Sequence, residues 1–166
     1  LFRINLKEYD LLWPPSFRKM FMDIMTLETA ESMLPLASRV AEDLKGVSSR
    51  VRLLRSEKNF YEKKKNRLNW KERRKYYEVT DELFVTEMTL ENTLVEIKKI
   101  GVEPLVPELG LIGFPTLVNN RKAFFSWKPG EPCVCFWNFA EELNRRPVPP
   151  TWFLEAGIGE SRRKAA

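Results

Sequence analysis

The side chains with the most chemical consequence in this chain are its cations, and they are bunched. Between Lys45 and Tyr77 stand thirteen Lys and Arg against three Glu, a local balance of +10 in a chain whose net charge is +5. The remaining residues therefore carry −5, so the sequence encodes a basic pole on an acidic body. Arg50, Arg52, Arg55, Lys58, Lys63, Lys64, Lys65, Arg67, Lys71, Arg73, Arg74 and Lys75 are the candidate RNA-binding residues. Ammonium and guanidinium groups neutralise phosphates and release their counterions. Phe60, Tyr61, Trp70, Tyr76 and Tyr77 lie among them and offer rings on which bases could stack. The competing reading is a solvated helical face whose aromatics turn toward a partner helix. Like charges repel, so a fold by itself has little need of such a concentration.

Catalytic chemistry has less to work with. There is no histidine, which removes every mechanism that needs an imidazole base or ligand. Cys133 and Cys135 are the only cysteines. On one strand, residues i and i+2 point the same way about 7 Å apart, long for a disulfide. They read as two small apolar residues packed on one sheet face in a reducing compartment. A thiolate metal site would need two further ligands, and no other Cys or His exists to supply them. No Gly-rich phosphate loop, nucleophile elbow or carboxylate pair with a base in reach is visible, so no catalytic residue, cofactor or metal is expected. An enzyme would have to work through carboxylates alone, such as Glu131 or Glu141.

The elements that must hold the cations in place are helices. Thr26 is placed to cap a first helix, with Glu28 and Glu31 near its positive end. Apolar or small residues at 27, 30, 34, 37, 41, 44 and 51, widened by Leu36, Val40, Val47 and Leu54, make an amphipathic stripe able to reach Glu57. Pro35 marks an expected kink or early restart. Asn69 with Glu72 fits a capping box for a second helix, and Gly101 is its stop, with Lys98 and Lys99 favourable there. The apolar positions of that helix run Tyr76, Val79, Leu83, Leu90, Leu94 and Ile97, with Phe84, Met88 and Val95 beside them. Two such helices joined over residues 59–68 predict an antiparallel hairpin with the positive charge at its tip.

Residues 102–108, with Pro104 and Pro107, read as an irregular link. Leu111–Val118 and Lys122–Trp127 predict two strands joined at Asn119-Asn120, residues that tolerate φ > 0. Pro129-Gly130 makes the next turn, after which Cys133–Asn138 returns as a third strand. Trp127 reads as core, and Glu131 as a local cap or partner. Arg145 and Arg146 read as pairing with Glu141 or Glu142. Residues 139–144 suit a helical turn, and 145–150 an extended segment.

The stretch Gly110-Leu111-Ile112-Gly113-Phe114-Pro115, Trp127-Lys128-Pro129-Gly130-Glu131, Phe136-Trp137-Asn138 and Arg145-Arg146-Pro147 resembles the bacterial domain-of-unknown-function 2203 family. So do Met25-Thr26-Leu27-Glu28-Thr29-Ala30 and Met33-Leu34-Pro35-Leu36 upstream. The resemblance covers about residues 25–149 and implies a fold more than an activity. In that family an aspartate stands at the position of Gly113 and a histidine at that of Asn138, natural candidates for metal binding or proton transfer. This chain has neither, so the resemblance implies a site that has been lost.

The sequence therefore predicts an α+β fold: a long antiparallel helical hairpin with a small three-stranded antiparallel sheet. Residues 1–24 form an apolar N-terminal arm, 25–153 the domain, and 154–166 a basic tail. No run of eighteen apolar residues predicts a transmembrane segment. The first residue is Leu1 and not Met, as in a processed or incomplete product. The expected role is a non-catalytic accessory subunit of a large assembly, foremost a ribonucleoprotein of ribosome-like kind, with RNA and other subunits as partners. Its expected place is the cytoplasm or an organelle matrix or stroma. An interaction module for acidic proteins or an anionic membrane face, and a degenerate enzyme, are the alternatives.

Overall fold

The computed structural model describes residues 24–142 and 144–158. The N-terminal arm, apart from Ile24, and the tail from residue 159 onward lie outside the described residues. Helix α1 spans Leu27–Lys63, α2 Trp70–Lys99 and α3 Pro150–Glu155. The strands are β1 Glu103–Val106, β2 Leu111–Val118, β3 Arg121–Trp127, β4 Phe136–Phe139 and β5 Arg146–Pro147. The fold is α+β, with two long helices packed as a hairpin on an antiparallel sheet.

Local signals set the helix ends. Thr26 Oγ1 accepts the N–H of Thr29 at 3.2 Å. Asn69 and Glu72 exchange both bonds of a capping box, each at 2.9 Å. At the far end Gly101 takes φ 77, the left-handed conformation that stops α2. Helix α1 departs from the sequence expectation of an early restart at Pro35 and of an end near Glu57. It runs through Pro35 without a break and continues six residues past Glu57, leaving only residues 64–69 as the connection, with a 3₁₀ turn at Lys65–Arg67.

The sheet holds five strands in the order β1-β2-β3-β4-β5, every neighbour antiparallel. The hairpin turns form as expected: Asn119 and Asn120 take φ 52 and 57, and Gly130 takes φ 101. The two added strands lie at the edges. Residues 103–106, expected as irregular, pair with β2, and Pro104 is tolerated because an edge strand leaves one row of N–H groups unused. Arg146–Pro147 pairs with β4 on the other edge. The third expected strand does not begin at Cys133: residues 132–133 bend and the strand starts at Phe136. That bend brings the Cα atoms of Cys133 and Cys135 to 5.3 Å, closer than on the extended strand expected, with their sulfur atoms in contact.

Ile112, Phe114, Phe125 and Trp127 share the sheet face that meets α1 residues Leu27, Ala30, Ala37, Ala41 and Leu44 in the main core. Phe153 of α3 joins the same core, and Trp152 meets Phe125 and Trp137 edge-on or tilted. Toward the tip the hairpin is held by a separate small cluster, Val51, Leu54, Val79 and Leu83. Phe84, Met88 and Val95, expected beside the inner stripe of α2, point to solvent instead.

Candidate functional site

At the tip the twelve expected cations divide into two sets. Arg50 pairs across the hairpin with Glu82. Arg55 reaches Glu87 at 2.7 Å, Lys58 reaches Glu62 at 3.8 Å, and Arg74 and Lys75 share Glu78 at 2.9 and 4.0 Å. These five carry their own counter-charges. Among the described residues no ion pair holds Arg52, Lys63, Lys64, Arg67, Lys71 or Arg73, and all six are exposed. Lys64 lies 4.2 Å over the exposed ring of Phe60. The backbone of Lys65 belongs to the 3₁₀ turn beside them. The unpaired charge is thus densest from Lys63 to Arg73, in and around the connection itself. The expected aromatics divide as well: Tyr61 and Tyr76 are half-buried, with the Tyr76 hydroxyl 3.4 Å from Glu62, while Phe60, Trp70 and Tyr77 are exposed.

The second region is the face of the sheet turned away from the helices. Cross-strand register puts Gly113, Ser126 and Phe136 in one row and Pro115, Phe124 and Asn138 in the next, so all six share that face. The two positions where the family resemblance implies aspartate and histidine therefore share one face. Here that place is filled. A Cβ at Gly113 would come within 2.9 Å of Phe124 Cβ and 3.0 Å of Leu105 Cδ1, which leaves no room for a carboxylate. Asn138 is 2% exposed; its Nδ2 donates to the carbonyls of Phe139 and Glu142 at 3.0 and 2.9 Å, and its Oδ1 has no partner among the described residues.

Arg145 closes the same face. Its Nη1 and Nη2 donate to the two oxygens of Glu131 at 2.7 Å each, and Nε and Nη2 also reach the Ser126 hydroxyl and carbonyl at 3.1 Å. The guanidinium lies 4.4 Å over the Phe136 ring. Glu131 accepts the N–H of Lys128 at 3.1 Å as well, so it both caps its turn and pairs, and Trp127 is buried with Nε1 bonded to the Glu131 carbonyl at 2.9 Å. Arg145 was expected on Glu141 or Glu142. Glu141 instead faces Arg121 at 3.1 Å, and Glu142 holds Arg146 at 2.6 Å. With both oxygens of Glu131 engaged by one arginine, the carboxylate is committed to structure.

Sequence reasoning missed the role of Glu31. It is 6% exposed in α1, and its Oε1 accepts the N–H of Val134, between the two cysteines, at 2.6 Å. The signal was present: Glu31 stands four residues after Leu27, on the buried stripe and not beside it. Among the described residues no group of three or more His, Cys, Asp or Glu could hold a metal ion. No helix among them is long and apolar enough to cross a membrane.

A helical hairpin ending in unpaired cations, rooted in a five-stranded sheet whose outer face is closed by an arginine, defines the class of this protein by structure. The family model described as Uncharacterized conserved protein (DUF2203) matches residues 23–147, and the chain belongs to that family. No curated protein and no solved structure matches it.

Proposed function

We propose that this protein is a non-catalytic accessory subunit of a large ribonucleoprotein assembly, of ribosome-like kind, and that it contacts RNA backbone through the hairpin tip. One observation carries the reading: Lys63, Lys64, Arg67, Lys71 and Arg73 are exposed with no acidic partner among the described residues, whereas Arg50, Arg55 and Lys58 farther down α1 are paired. An exposed charge without a counter-charge repels its like neighbours and gains most from an external anion. Phosphate backbone supplies anions at a spacing that flexible lysines can follow without reading sequence. The non-catalytic part is supported by Glu131, bound at both oxygens, and by the filled space at Gly113. Work inside such an assembly fits the cytoplasm or an organelle matrix or stroma.

The test is RNA affinity as a function of salt. Log affinity of the purified chain for a generic RNA should fall steeply with log salt, and replacing Lys63, Lys64 and Lys65 by Ala should flatten the slope by about two. A wild-type chain with no RNA affinity at low salt, or an unchanged slope in the triple variant, refutes the reading.

A further inference from the structure

Helix α2 is apolar on two sides, and among the described residues only one of them is covered. Its inner stripe, with Val79, Leu83 and Ile97, is buried. At 3.6 residues per turn, Trp70, Tyr77, Phe84, Met88 and Val95 fall within about 40° of a single line on roughly the opposite side. All five are between 48% and 74% exposed. From Trp70 to Val95 that line is about 38 Å long at 1.5 Å per residue. Scattered apolar residues on a surface need no explanation, but an aligned row of aromatic and aliphatic side chains marks an interaction surface.

The spacing identifies what fits it. Positions 70, 77, 84 and 91 and positions 74, 81, 88 and 95 are the two core series of a heptad repeat, and antiparallel helices set one series against the other. Laid antiparallel on a second copy of itself, α2 has a register in which Trp70 meets Val95 of the second copy, Tyr77 meets Met88, and Phe84 meets Asp81. The same register sets Arg74 against Glu91. Charge along the stripe itself agrees: Arg74 stands in its first half and Glu91 in its second. A parallel copy would place like charges together, whereas an antiparallel copy opposes them. The bond of Arg74 to Glu78, at 2.9 Å between half-exposed groups, is a surface pair with little to lose on exchange.

We infer that two copies of this chain associate through the outer stripes of α2, packed antiparallel. Asp81 lies near the two-fold axis of that pair; with Arg74 and Glu91 it makes three charged residues among the eight core positions, and such polar core residues set register at a cost in affinity. The inference is independent of the RNA reading.

Sedimentation equilibrium on the full chain tests it. Mass should rise from 19.6 kDa toward twice that value as concentration approaches about 100 µM. Phe84→Asp should stay monomeric with an unchanged circular-dichroism spectrum and melting temperature, because Phe84 is 67% exposed and belongs to neither core cluster. Asp81→Leu should tighten association at least tenfold. In a Cys133→Ser, Cys135→Ser background, Phe84→Cys should cross-link to itself. Arg74→Cys should cross-link when mixed with Glu91→Cys but not alone. A wild type that stays monomeric throughout, or association untouched by Phe84→Asp, overturns the proposal. So does an Arg74→Cys chain that links to itself as readily as Phe84→Cys does. The Lys63, Lys64, Lys65 triple variant should dimerise normally, and Phe84→Asp should keep the wild-type salt slope for RNA, so either idea can fail without the other.

Discussion

The sheet end and the hairpin tip use the same kinds of side chain in opposite ways. At the sheet end Arg145 is nearly buried, faces Glu131 at both oxygens and is flanked by Ser126 and Phe136. At the tip Lys63, Arg67 and Lys71 are exposed, with no acidic partner among the described residues. The apolar clusters differ in the same sense: a large core joins α1, the sheet and α3, whereas four residues hold the distal hairpin together. Burial explains the contrast. A cation taken out of water must find its anion within the fold, while one left in water can wait for an external anion. One end of the molecule therefore satisfies its own charges, and the other leaves cations exposed with no acidic partner among the described residues.

The largest effect should come from breaking the Arg145–Glu131 pair, whose side chains are 16% and 12% exposed. Arg145→Ala leaves Glu131 charged and enclosed and should cost about 3–5 kcal/mol, read as a drop in the urea midpoint. Replacing Arg145 and Glu131 together by Met should cost clearly less than Arg145→Ala alone; equal losses would mean that the ion pair is not what holds the outer face. Next come the two cores. Leu44→Ala, at a residue with no exposure inside the large cluster, should cost about 3–5 kcal/mol, near the upper end for such truncations. Leu54→Ala should fall nearer about 2 kcal/mol, because the four-residue cluster is narrow and can close over the gap. If the order is reversed, the contrast between a self-sufficient base and a lightly held tip is wrong.

Smaller changes sharpen the same contrast. Asn69→Ala removes the cap that starts α2 beside the tip and should cost about 1 kcal/mol, visible as extra amide exchange in the first turn of α2. Arg55→Gln breaks an exposed pair with Glu87 and should change stability by less than about 1 kcal/mol. A loss comparable to that of Arg145→Ala would place the cations nearest the sheet on the structural side.

Much of this was legible in the residues alone, and what was not has a common cause. The Asn69–Glu72 capping box, the Thr26 cap, the Asn119-Asn120 turn and the stop at Gly101 each depend on atoms within four residues of one another. Their geometry follows from local sterics and hydrogen bonding whatever the rest of the chain does. The partner of Arg145 was misassigned because Glu131, Glu141 and Glu142 are all within reach along the chain, and only the placement of Arg145 against Ser126 and Phe136 selects Glu131. The strand at Glu103–Val106 was hidden by Pro104, whose missing N–H matters only if the strand is not at an edge. The close approach of Cys133 and Cys135 was missed on the premise of an extended chain, which the bend at residues 132–133 removes.

Helix α2 marks the boundary most clearly. Its periodicity specified a helix, its ends and the fact that Phe84, Met88 and Val95 are aligned. It could not say that they face water, because two apolar stripes on one helix compete for the same partner. Which stripe α1 covers is settled by how residues far apart in sequence fit together, a choice made by packing and not by any property of the segment itself.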